Sequence, residues 1–160
     1  MPYAWLTQEM SHHVTTAGDT VIWLWARTTR RDLRHLLRHP DARGEVLLTA
    51  TIARHRVLLS DFSDWHQVLN RAPHVPRTPD EDHATWWARA EPLIEDYHAR
   101  ITAAGLDGTG YLDLPDTYRD ELERGWRAIF DPATWAPGES VQATVHELRV
   151  ADITRAIRIR

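Results

Sequence analysis

Apolar and polar positions change period twice along the chain, and the changes divide it into three stretches. Residues 3–8 (Tyr-Ala-Trp-Leu-Thr-Gln) read as a short first strand. From 19 to 27, Val21, Trp23 and Trp25 alternate with Ile22 and Leu24, so both faces are apolar, as expected of a central strand. Residues 32–39 predict a short helix that Pro40 ends. Segments 45–52 and 56–60 predict two further strands, parted by a turn near Ala53-Arg54-His55.

Helical spacing then takes over. Residues 63–70 predict a short helix, with Ser60, Asp61 or Ser63 placed to cap it. A loop punctuated by Pro73, Pro76 and Pro79 leads to a helix over 80–104, where Trp87, Ala90, Ile94, Tyr97 and Ile101 recur at helical spacing and Gly105 suits the C′ position. A second helix is expected over 115–130, with Tyr118, Leu122, Trp126 and Ile129 on one face and Pro115 in its first turn. Beyond it, Val141, Ala143 and Val145 alternate with Gln142, Thr144 and His146, the pattern of a half-buried strand. Ile153, Ile157 and Ile159 predict a closing turn or short helix plus a strand. Strands, then helices, then strands imply an α+β fold: a single domain over 1–160 with a mixed or antiparallel sheet and a central helical block.

Composition narrows the chemistry. The chain has 160 residues, enough for one core, and no cysteine, which removes disulfides, thiolate metal sites and cysteine nucleophiles and fits a reducing, cytoplasmic setting. Its start lacks a basic segment followed by an apolar one, and the run Val21–Ala26 is far below the ~20 residues of a membrane span, so no membrane association is expected. All 19 basic residues are arginine, which excludes Schiff-base chemistry and a P-loop lysine. The net charge of −4 argues against general nucleic-acid binding and leaves nucleic acid as a modification target. Yet Arg27, Arg30, Arg31, Arg34, Arg38 and Arg43 face only Asp32 and Asp41 in their stretch; such a run is ordinarily a solvated face, and it can also hold phosphate. Eight tryptophans serve as core filling by default, and their rings can also stack on planar ligands.

Metal and nucleophile motifs are weak. His35 and His39 stand at i, i+4 among arginines, and Glu95-x-x-His98 has no second copy of the kind a di-iron site needs. Gly-x-Ser-x-Gly is absent, and Gly105, Gly108 and Gly110 follow a helix instead of opening one. No metal is therefore expected. A histidine-dependent metal enzyme is the least supported reading.

Six blocks in order carry a resemblance. They are Trp5-Leu6-Thr7-Gln8, Trp23-Leu24-Trp25, Asp32-Leu33-Arg34, the segment Leu58 to Asn70 with Ser60-Asp61-Phe62 and Trp65-His66, Trp126-Arg127-Ala128-Ile129-Phe130-Asp131, and Gln142-Ala143-Thr144-Val145-His146-Glu147-Leu148. Together they resemble the bacterial domain-of-unknown-function family DUF3841. Glu9 to Thr20 is shorter than the insertion usual in that family. The family implies no activity.

The layout is also similar, more distantly, to ADP-ribosyltransferase folds, which implies NAD or a related nucleotide as cofactor. In those folds an arginine or histidine holds the NAD, aromatics stack on nicotinamide, and a late-strand glutamate stabilises an oxocarbenium-like transition state. The resemblance places Arg27 or Arg34 on phosphate, Trp23 or Trp25 on the ring, and Gln142 or Glu147 as the catalytic late-strand group. The expected glutamate position reads Thr144, and Glu147, three residues on, points to the other face of a strand. One reading is an ADP-ribosyltransferase-like enzyme, or a degenerate relative that keeps the nucleotide and loses the chemistry. The other is a non-catalytic module binding a small molecule or protein, with Gln8, Asp61, Trp65, His66 and Asn70 as further ligand-binding candidates. Against that second set, Trp65 with Leu69 is equally a core stripe, and His66 and Asn70 can hydrogen-bond each other or a backbone group.

Overall fold

The computed structural model describes residues 2–136 and 138–159. Among them the elements are α1 (Pro2–His13), β1 (Ile22–Arg27), α2 (Arg30–Arg38), β2 (Val46–Ala50), β3 (Leu58–Asp61), α3 (Phe62–Asn70), α4 (His83–Ala103), α5 (Asp116–Trp126), β4 (Val141–Val145) and β5 (Ile153–Arg158). The fold is α+β, and its strands form a three-stranded sheet in the order β1-β4-β3 and a separate ribbon of β2 and β5. The β1–β4 and β2–β5 pairings are antiparallel. The chain divides into two compact units, one running from Ser60 to the loop before Gly138, the other made of Tyr3–Leu59 and the segment from Gly138 onward.

The strand-bearing unit departs from expectation at its first element. Residues 3–8 belong to helix α1, not to a strand. The buried positions are Trp5, Leu6, Glu9 and Met10, a helical stripe that a six-residue window could not separate from alternation. A second difference concerns β1. It lies at the sheet edge, and β4 is central, with Val141, Ala143, Thr144 and Val145 all buried. Across β1 and β4 the register pairs Ile22 with Val145 and Leu24 with Ala143. That face packs with Val57, Ile52 and Leu59 to form the unit's core.

One buried ion pair ties the end of this unit together. Arg56 donates to both carboxylate oxygens of Asp152, at 2.8 and 2.9 Å, and the backbone N–H of Arg149 donates to the same carboxylate at 2.8 Å. The Arg56 hydrogen bonds hold the Asp152 carboxyl below the usual range.

The helical unit follows its sequence signals closely. Asp61 caps α3 by accepting from the N–H groups of Ser63 and Asp64 at 2.7 and 3.0 Å, and Asp82 caps α4 by accepting from Thr85. On α4 the buried positions are Ala90, Tyr97 and Ile101; Trp87, expected on that stripe, is 43% exposed. Leu122, Trp126 and Ile129 bury the inner side of α5 and the turn after it. Three indoles donate to backbone carbonyls: Trp126 to Ala72, Trp86 to Val75 and Trp135 to Ile129. These tryptophans are structural. Gly125 is required because a Cβ there would lie 2.4 Å from the carbonyl oxygen of His74.

Candidate functional site

The second face of β1 holds several of the ligand-binding candidates. Trp23 stands opposite Thr144 and Trp25 opposite Gln142, so these four side chains share the side of the sheet away from the Leu24–Ala143 core. Thr144 is buried and donates to the carbonyl of Leu58 at 3.3 Å. Among the described residues the buried Gln142 Oε1 has no hydrogen-bond donor, leaving one acceptor open on the tryptophan face.

An open groove of about 640 Å³ lies at Trp23 and is lined by Tyr3, Ala4, Thr7, Asp19, Thr20 and Val21. Tyr3 meets Trp23 edge to face, with ring centroids 6.3 Å apart. The rim is held in place from β4's end. The Nδ1 of His146 lies 2.9 Å from the carbonyl of Thr20, and because a carbonyl only accepts, that nitrogen carries the proton. Gly18 fits closely here, since a Cβ would sit 3.0 Å from that of His146. The groove therefore offers two aromatic rings, three hydroxyls (Tyr3, Thr7 and Thr20) and one carboxylate, with Asp19 and Thr20 on the pinned loop.

The other predicted residues distribute as follows. A bulge between Trp25 and Arg27 sets Arg27 opposite Val141, on the core-side register, and its Nε donates to the carbonyl of Glu139 at 3.1 Å. Arg27 therefore does not share the side of the sheet that carries Trp23 and Trp25. Arg34 is exposed on α2, and Gln8 is exposed on α1. Glu147 lies beyond the end of β4 and pairs with Arg149, with Arg56 Nη2 3.7 Å away. Its carboxylate is engaged by two guanidinia, and it lines no part of the groove.

In the helical unit, the Ser60–Asn70 signature is a corner in which Asp61 is a cap and Trp65 is buried at 3% exposure. His66 is exposed, with Nδ1 3.0 Å from the Phe62 carbonyl one turn back, and Asn70 is exposed at the helix end. Sequence reasoning missed His74, which is buried with Nε2 3.9 Å from Asp64. Burial pushes its pKa down to about 4, against the opposing pull of the Asp61 charge. Among the described residues no three His, Asp or Glu side chains are grouped to hold a metal ion. His39 lies outside α2 as its C-cap, so it does not share a helical face with His35. No described helix is long and apolar enough to cross a membrane.

Fold and groove together define an α+β protein whose aromatic-walled surface lies in its strand-bearing unit. The chain belongs to the family described as Domain of unknown function (DUF3841), whose model matches residues 1–154. No curated protein and no solved structure matches it.

Proposed function

We propose that the chain is a ligand-binding module whose groove at Tyr3 and Trp23 takes a planar, electron-poor or cationic ring bearing hydroxyls, the nicotinamide-riboside half of NAD being the representative case. The observation that carries this reading is the pinned groove in which Tyr3 and Trp23 face a rim of Thr7, Asp19 and Thr20. Aromatic faces attract a cationic ring, and a carboxylate accepts from ribose hydroxyls. Transfer of ADP-ribose is the less supported alternative, because Glu147, its late-strand acid, is paired with Arg149 and Arg56. Gln142, Trp25, Arg27 and Arg34 remain candidates for contacts beyond the ring.

Thermal unfolding with NAD, nicotinamide riboside and adenosine monophosphate tests the proposal. A ligand at 100 times its Kd adds about 2.7 kcal/mol, or roughly 5–10 °C for a chain of this size. The expected result is a rise with NAD and with nicotinamide riboside that Trp23→Ala abolishes. Asp19→Asn, at an exposed rim position, should weaken the rise without changing the unliganded Tm. No rise with any of the three compounds sinks the reading.

A further inference from the structure

The charge of the molecule is divided between its units. The helical unit carries seven arginines against fifteen carboxylates, and the strand-bearing unit twelve against eight, so the chain's −4 is the sum of −8 and +4. Within the strand-bearing unit the excess is concentrated further. Arg30, Arg31, Arg34, Arg38, Arg43, Arg155 and Arg158 are all exposed, and among the described residues none of them is ion-paired.

Two grooves organise this charge. One, of about 490 Å³, is lined by Arg38, His39 and Arg43 at the end of α2. The other, of about 1120 Å³, is lined by Arg43, Gly44 and consecutive residues 155–159, and so it follows the outer edge of β5, which among the described residues pairs with β2 alone. Arg43 belongs to both. Arg155 and Arg158 are an odd number of residues apart, so they flank that edge from opposite faces of the ribbon. No carboxylate lines either groove.

From this we infer that the face formed by α2 and the outer edge of β5 binds the phosphate backbone of a single-stranded nucleic acid. Guanidinium forks in series along a linear edge match a phosphate chain, each able to take a phosphate bidentately. Trp25, 44% exposed and just ahead of α2 in the chain, supplies a ring on which a base can stack. A membrane surface fits less well. Val46 and Leu48 project from the Arg158 face of the ribbon and Ile157 from the opposite one, so the exposed apolar groups form no common plane for insertion. The net charge argued against nucleic acid only because it averaged two units of opposite sign. This inference rests on the arginines at the two basic grooves and not on the groove at Tyr3 and Trp23.

Fluorescence anisotropy of a labelled 20-nucleotide single strand with the full chain tests it. If about five phosphates are neutralised, affinity should fall about 100-fold between 50 and 200 mM salt. The variant Arg43→Glu/Arg155→Glu/Arg158→Glu should abolish binding while keeping the parent's Tm, and Arg124→Glu on the helical unit should leave binding unchanged. Salt-independent binding, equal binding by the triple variant, or absence of binding overturns the inference. So does equal or tighter binding to phosphatidylserine vesicles, to polyglutamate, or to the same sequence as a duplex.

Discussion

The helical unit and the outward face of α2 and the β2–β5 ribbon use the same residue type in opposite ways. In the helical unit Arg89 pairs with Glu81, Arg100 with Glu121 and Asp96, Arg119 with Asp116, and Arg127 with Glu123. There arginine is internal mortar, neutralised within reach of its own helices. Among the described residues the arginines of α2 and the β2–β5 ribbon form no ion pair, and no residue of α2 is buried. Arginine serves stability where its partner is built in, and the proposed binding face is where no such partner is present.

That comparison breaks first at the core of the helical unit. Trp126 is 1% exposed and hydrogen-bonded to Ala72, so Trp126→Ala should cost about 3–5 kcal/mol in denaturant unfolding. By contrast, Arg43→Ala or Arg158→Ala should change stability by no more than about 0.5 kcal/mol. A large loss at either arginine would mean that the outward face is structural after all.

The second expectation concerns pH. His74 has a folded pKa of about 4 against an ordinary 6.5, so the unfolded chain takes up its proton first as the pH drops. The stability that neutral His74 provides is complete above pH 6.5 and is lost progressively as the pH falls toward 4, by about 3 kcal/mol. Unfolding free energies of parent and His74→Asn between pH 7 and 4.5 check this; the variant's curve should be flatter. Glu81, held by Arg89 down at about 2, sheds its contribution as the pH falls from the ordinary carboxylate value toward 2, largely below that window, so it does not mimic the effect. A smaller effect is expected at the signature corner. Asp61→Ala should cost about 1 kcal/mol through the lost α3 cap, and Asp61→Asn should recover most of it. If Asn fails to recover it, Asp61 does more than cap.

Much of the helical unit was legible because its signals are local. Asp61 caps the next residues, and the stripes of α4 and α5 run over several turns, long enough for period 3.6 to declare itself. Helix α1 was misread because Tyr3 and Trp5 fit alternation over so short a window, and Leu6 alone breaks it. Strand β1 was misplaced at the sheet centre because its second apolar face answers to Tyr3 across an aromatic contact instead of to another strand. The groove shared that fate. Trp23 was visible as a stacking candidate, whereas Tyr3, Thr7, Asp19 and Thr20 join it only through the fold. Glu147 drew attention by chain order, but Arg56, 91 residues earlier, decides its surroundings. The basic face was half visible, since Arg155 and Arg158 reach it by the pairing of β5 with β2.

Amide hydrogen exchange of the full chain, alone and with saturating single-stranded 20-mer or NAD, tests the division between scaffold and binding surfaces most directly. Protection is expected within 30–50 and 153–159 for the strand, within 3–7 and 19–23 for NAD, and unchanged exchange across α4 and α5 with both. Protection centred on α4 and α5, or none with either ligand, would contradict it.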